Sequence, residues 1–246
     1  MNELYVHHHL GLGDMIHMNG MMRRILREEN YDSIHIFSKN CHKTMVKWMY
    51  RDEPIINIIG IDETGSEVAL VDEVMHQVEG KFVRIGHKHY RLQNNQNGPM
   101  TCDMIFYNQL GVPYSSRFDD CYWERDLKEE ERVYNKLTPK GKDYIFVHDD
   151  PNRGFVINDE VTNPNLEIVR NDMSESIFHL GMLLENAKEI HLMESSIRCM
   201  VEFLKPKLLE NKVELYFHNF RGGPSYNKET QIWNGTSLPF KLVTKR

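Results

Sequence analysis

The chain is poor in the marks of several large protein classes. No apolar run approaches the ~20 residues that cross a bilayer, so no integral membrane segment is expected. The opening MNELYVHHH lacks the form of a secretory signal, and the expected location is cytoplasmic. Cysteine is scarce: Cys41, Cys102, Cys121 and Cys199 are scattered without metal-ligand spacing and read as free thiols of a reducing compartment. No G-x-x-x-x-G-K-[ST] occurs, which removes the P-loop nucleotide fold. Positive charge is not in excess. The net charge is -6 and the pI near 6.1, which argues against a nucleic-acid partner. The 13 histidines raise the question of metal. His7, His8 and His9 are consecutive, so on a strand they alternate faces and cannot all reach one ion. His87 and His89 share a strand face but have no carboxylate or cysteine cluster near them. No metal is expected.

What is present is an ordinary balance, 40% hydrophobic and 27% charged, in 246 residues. That length can bury one large core or two small ones. The chain is organised around His7–Arg24, HHHLGLGDMIHMNGMMRR. An apolar run leads into the histidines, a glycine turn follows at Gly11-Leu12-Gly13, and apolar residues then recur at helical spacing. This reads as strand, tight turn, helix. The glycines permit close approach of a ligand. Asp14 falls where the helix begins, at the C-terminal end of a strand, the side on which open α/β sheets bind ligands. It is either the helix N-cap or a functional carboxylate. A dinucleotide fingerprint is disfavoured, because Ile16 stands where a small third residue is needed and Ser38-Lys39 end the next strand without an acid.

The first half alternates. Strands are expected at Leu4–His8, Ser33–Ser38, Ile55–Ile61 and Lys81–Ile85, and helices at Asp14–Glu29, Cys41–Tyr50, Ser66–Val78 and Thr101–Leu110. Such alternation means a parallel sheet covered on both faces. The polar loop from His87 to Pro99, with Arg91, reads as solvated or as a contact for a polyhydroxylated ligand. An aromatic, irregular stretch from Val112 to Trp123 marks a boundary, giving domains at 1–123 and 124–246. The second begins with a charged helix from Asp126 and restarts the sheet pattern at Tyr144–His148, where YIFV suits a buried parallel strand. Leu166–Val169, Glu189–Met193 and Val213–Phe217 read as further strands. Ser174 can cap a helix through Asn186, and Glu194-Ser195-Ser196 opens another that Pro206 stops. The tail from Asn219 has no readable pattern.

Three strand-end loops of the second half carry chemistry: His148 with Asn152 and Arg153, then Asn171-Asp172, then Glu194-Ser195-Ser196. A helix start with serine hydroxyls is either a simple N-cap or a phosphate site, and a nearby arginine would complete a diphosphate clamp.

The segment GLGDMIHMNGMMRRI resembles the opening of the ADP-heptose:lipopolysaccharide heptosyltransferases, and Ser174–Leu204 is similar in element order to their C-terminal half. More distantly, the Ser-Ser pair and the arginine loop resemble GDP-fucose-dependent fucosyltransferases. The resemblance implies a GT-B glycosyltransferase of the hexosyl or heptosyl kind: an α/β chain of two Rossmann-like halves facing across a cleft. It implies an inverting, metal-independent enzyme with no cofactor beyond a nucleotide-sugar co-substrate, and a carbohydrate or glycoconjugate acceptor. Asp14 maps to the family's base. Gly11, Gly13 and His17 fall on the acceptor side; His148, Asn152, Arg153, Asp172, Glu194, Ser195 and Ser196 fall on the donor side. The chain departs from the family where Glu194-Ser195-Ser196-Ile197-Arg198 carries neither the following glycine nor the histidine. Two other readings stay open: a non-catalytic sugar- or nucleotide-binding module, and a nucleotide-sugar epimerase or hydrolase of the same fold.

Overall fold

The computed structural model describes residues 1–86, 101–157, 161, 163–220 and 236–243, with the backbone alone at 226–227 and 232–233. The loop carrying His87, His89 and Arg91 lies outside the described residues. The chain divides into two compact units, Met1–Glu124 and Arg125–Arg246.

The first unit holds a four-stranded parallel sheet in the order β3-β2-β1-β4, formed by β1 (Glu3–His7), β2 (Ser33–Lys39), β3 (Ile56–Ile61) and β4 (Lys81–Arg84). Central β1 is buried from Leu4 to His7. Helices α1 (Leu12–Glu28), α2 (Asn40–Met49) and α3 (Glu67–Met75) alternate with the strands, and α4 (Cys102–Gln109) follows β4. Helix α1 is the core of the unit: Met15, Met18, Met21 and Met22 are at most 1% exposed, and burying each is worth about 1.5–3 kcal/mol. It also approaches the stretch after α4 closely. A Cβ on Gly20 would collide with the Ser116 carbonyl oxygen, so glycine there sets the contact. Val112–Trp123, expected to be irregular, contains a short helix, α5 (Ser116–Asp119). The buried Arg117 of α5 pairs with Asp103 of α4, and Tyr114 Oη donates to the same carboxylate at 2.6 Å.

The second unit holds a five-stranded parallel sheet, order β11-β8-β7-β5-β6. Its strands are β5 (Tyr144–Val147), β6 (Glu167–Arg170), β7 (Glu189–Met193), β8 (Glu214–His218) and β11 (Lys241–Val243). The first strand lies between the second and third, which makes a topological switch point at β5/β7. YIFV is buried along its whole length. Asp126 caps α6 (Leu127–Leu137) by accepting from Glu129 N at 3.1 Å. Fully buried Glu130 of that helix takes the Arg125 guanidinium at 2.7 Å and Met182 N at 2.8 Å.

Two expectations for this unit are corrected. The helix proposed from Ser174 to Asn186 is a 3₁₀ turn, Ile177–His179, followed by the short α7 (Gly181–Glu185). Ser174 is no cap: its N–H and Oγ donate to Asp172 Oδ1 at 2.9 and 2.6 Å, a local turn that competes with helix. Pro206 does not stop the chain of helices either. After α8 (Ser196–Val201) and a 3₁₀ turn at Glu202–Leu204, Pro206 sits in the first turn of α9 (Lys205–Glu210), where its missing N–H costs nothing. The tail, for which the sequence carries no readable pattern, contributes short strands. Thr236 and Ser237 donate to Glu202, and β11 extends the sheet beside β8; Tyr226–Asn227 (β9) and Ile232–Trp233 (β10) pair antiparallel.

Candidate functional site

In the first unit the chain leaves β1 at the C-terminal edge of the sheet and enters α1 through Gly11. Gly11 itself is the N-cap, in extended conformation at φ -69° and ψ 142°, and its carbonyl accepts from Met15 N at 3.0 Å. The N-cap reading of Asp14 is therefore corrected. Asp14 is the third residue of the helix, half-buried, in the first turn, where the helix dipole favours negative charge. Its Oδ2 lies 2.7 Å from where a Cβ on residue 11 would be, so a side chain at that position would evict the carboxylate. Gly13 is half-buried in the same turn. His17 is buried one turn on, with its carbonyl accepting from Tyr107 Oη at 2.9 Å. Burial opposes ionisation of Asp103, yet Arg117 and His17 hold its carboxyl well below the usual range.

The histidine run is divided by environment. His7 and His8 are fully buried and His9 partly so. Arg84 Nε donates to His7 Nδ1 at 3.0 Å and its Nη2 pairs with Asp72 at 2.5 Å. Because arginine only donates, His7 Nδ1 must be the acceptor. Sequence reading missed Arg84; its place at the end of β4, beside the strand that ends in His7, was the available signal. Among the described residues no group of three or more His, Cys, Asp or Glu side chains could hold a metal ion.

In the second unit the donor-side residues follow the C-terminal ends of β5, β6 and β7. His148 N donates to His191 O at 2.9 Å, so the loop leaves β5 beside β7. The His148 ring is buried, which pushes its pKa below the ordinary value against the pull of Asn171, Asp150 and Asp149. Asp149 knots the loop, accepting from Ile157 N at 2.8 Å and pairing with Arg170, while its own N–H donates to Asn171 Oδ1 at 2.8 Å. Asp150 opens a 3₁₀ turn at Pro151–Arg153 and pairs with Arg153, whose side chain is 47% exposed. Asn152 is exposed. Asp172 turns elsewhere. Lys136 holds it at 2.7 Å in a surface cluster with Glu175 and Arg132, and Lys136 together with the Ser174 hydroxyl and N–H keeps its carboxyl low.

At the end of β7, Glu194 Oε2 accepts from Phe220 N at 3.2 Å, Ser195 caps α8 by accepting from Arg198 N at 3.4 Å, and Ser196 is the first helical residue. The structure thus gathers His148, Asp150 and Arg153 in one loop and Glu194, Ser195 and Ser196 at a neighbouring strand end. Asp172 is drawn into the cluster around α6.

No family model and no curated protein matches the sequence. Solved structures do match. The chain superposes on a glycosyl transferase family 9 protein from Veillonella parvula with a TM-score of 0.57 at 11% identity, covering 99% of this chain and 86% of that one. The fold is GT-B-like. A looser likeness, TM-score 0.47 at 10% identity, covers 99% of this chain and 90% of the ADP-heptose lipopolysaccharide heptosyltransferase II of E. coli. In a GT-B-like chain, the first turn of α1 and the ends of β5 and β7 sit at the strand ends where doubly wound sheets take ligands.

Proposed function

We propose that the chain is an inverting, metal-independent glycosyltransferase that moves a hexosyl or heptosyl group from a nucleotide-sugar to a carbohydrate or glycoconjugate hydroxyl. Residues 1–123 serve the acceptor and 124–246 the donor, in the cytoplasm. The observation that carries this reading is Asp14. Its carboxylate stands in the first turn of α1, in the gap left by Gly11 at the N-cap position. A half-buried carboxylate at the C-terminal edge of the sheet can serve as a general base, taking the acceptor proton as the hydroxyl attacks the anomeric carbon. Gly11 and Gly13 leave backbone open to the acceptor, and His17 backs the same helix turn. On the donor side, Arg153 and the start of α8 at Ser195-Ser196 would take the departing diphosphate, with His148, Asn152 and Glu194 around them. Arg153 must exchange Asp150 for phosphate to do so, and its exposure permits that. Asp172, held by Lys136, would contribute only by leaving that pair.

A binding module without catalysis is the second reading. The pairing of Arg153 with Asp150 favours it, since the one arginine of the clamp is already neutralised. Incubation with a panel of nucleotide-sugars and glycan acceptors decides between them. Release of nucleoside diphosphate with a matching glycosylated product supports transfer; tight nucleotide binding without turnover supports the module. Nucleoside diphosphate and free sugar in the absence of acceptor would mean a hydrolase.

A further inference from the structure

The loop that carries Arg153 is closed by side chains as well as by backbone. Its tip is a tight turn. Asp150 and Phe155 exchange two backbone hydrogen bonds, at 2.8 and 3.0 Å, as an isolated bridge. Pro151–Arg153 turns between them, and Gly154 ends the turn in the left-handed region at φ 72°. One residue before the bridge, Asp149 N donates sideways, to Asn171 Oδ1 at 2.8 Å, and so does not reach across the loop. Side chains make the next rung instead. Ile157 N donates to Asp149 Oδ1 at 2.8 Å, and Ile157 O accepts from Arg170 Nη2 at 3.0 Å. Arg170 Nη1 closes the ring by pairing with Asp149 Oδ2.

Each partner is the kind of group this rung needs. Ile157 is fully buried against Ile145 and Val147 of β5, so its peptide N–H and C=O must find partners within the protein. The Asp149 residue is 8% exposed, and its carboxylate needs a cation. A guanidinium presents several donors in a fixed fork, so one side chain serves the carboxylate and the carbonyl together; a lysine ammonium is a single point charge. Register supplies the placement. Arg170 lies beside Val147, the last residue of β5, and Asn171 N donates to Val147 O at 3.2 Å. The end of β6 therefore lies against the foot of the loop and grips it at Asp149 and Ile157. Arg153 stands midway in sequence between those two points.

We propose that Arg170 is a positioning residue of the donor site: by tying Asp149 to Ile157 it fixes the foot of the loop and holds Arg153 ready for a diphosphate. The inference rests on the reading of Arg153 as a diphosphate ligand. An arginine on a loop that must order itself around its ligand loses affinity to the entropy of that ordering. Here the ordering precedes the ligand. Arg153 keeps the freedom it needs, because its own side chain is 47% exposed and leaves Asp150 for phosphate. The two arginines divide the task. Arg153 meets the ligand, and Arg170 acts through the loop.

Two measurements on the full chain test this. The first needs no ligand. In Arg170→Met, amide hydrogen exchange at Arg153, Phe155 and Ile157 should be at least about ten-fold faster than in the wild type, with the amides of β7 unchanged. The second is calorimetric titration with inorganic pyrophosphate, ADP and GDP, with adenosine and guanosine as phosphate-free controls. Arg170→Met should weaken the phosphate-bearing probes about ten-fold and leave the nucleosides within about two-fold. Arg170→Lys, which keeps a charge for Asp149, should fall between. In the Arg153→Ala chain, adding Arg170→Met should cost less than about two-fold more, because the group it acts through is gone. Unchanged exchange overturns the proposal. So does equal weakening of pyrophosphate and nucleosides, which would mean a structural role only, and so does a full loss that persists in the Arg153→Ala chain. Weakening by Arg153→Ala without weakening by Arg170→Met overturns this inference alone. If Arg153→Ala weakens nothing, or no phosphate probe binds, the donor reading falls and the inference with it. Should Arg170→Met not fold, Asp149→Asn, which keeps an acceptor for Ile157 N and removes the charge facing Arg170, is judged by the same two measurements.

Discussion

The Arg153 guanidinium is held by the carboxylate of Asp150, three residues before it, in a turn at the end of β5. Any anion that binds Arg153 must compete with that carboxylate. Removing the competitor should therefore tighten binding: Asp150→Asn is expected to raise nucleoside-diphosphate affinity by up to about 1 kcal/mol, the scale of an exposed ion pair. Arg153→Ala and Ser196→Ala should lower it, by about 1–3 kcal/mol for the charged contact. Calorimetry with the diphosphate and with the bare nucleoside checks this. Equal losses for both ligands would point to disturbed folding.

Asp14→Asn separates charge from shape. Asn keeps an oxygen acceptor of the same shape in the first turn of α1, so thermal stability should change by less than about 1 kcal/mol. Turnover should fall at least about a hundredfold, the scale for loss of a general base. Steady-state rates beside a melting curve check both halves of the statement. Undiminished turnover would move the search for a base to His17 or His148.

A clamp of arginine and helix start needs no divalent ion. Treatment with EDTA should leave nucleotide binding and transfer unchanged. Strict dependence on magnesium or manganese in the same assay overturns the clamp.

Breaking the buried Asp103–Arg117 pair should be costly. Asp103→Ala strands a guanidinium that is 3% exposed, and the expected loss is about 3–5 kcal/mol by denaturant unfolding. The pH dependence has a definite sign. The folded-state pKa of Asp103 is depressed, so its stabilisation is complete above the ordinary carboxylate value of about 3.9 and drains away as pH falls below it.

His148 acts in a higher window. Burial lowers its folded-state pKa, so the unfolded chain takes up the proton first as pH falls. Stability from this group is complete above about pH 6.5 and is lost below it. His148→Gln should flatten the wild-type decline between about pH 6.5 and pH 5, measured by unfolding at each pH.

Most of the strands, though not their order in the sheets, could be read in the chain because buried parallel strands announce themselves. YIFV and the run into His7 have no polar interruption, and the glycine turn before Met15 marks the helix start. The local turns were less legible. Asp172 and Ser174 tie up a backbone that periodicity assigns to a helix, and Pro206 looks like a stop until a new helix is seen to start around it. Tertiary partners were hidden altogether. Nothing near Asp172 in sequence points to Lys136, and the spacing that sets Glu130 on one helix face with Val133 does not show that it meets Arg125 and Met182 N.

The order in which strands are added gives the two units different histories on the ribosome. The first sheet has its last described strand by Arg84, and the helices that pack on α1 are complete by Asp119, so this unit can close while the rest is still being translated. The second sheet waits for β11, the last of its strands in chain order. Until Lys241–Val243 emerges, β8 presents an unpaired edge, the kind of edge that recruits other strands. Nascent chains stalled before residue 241 should therefore lean on chaperones more than full-length ones do.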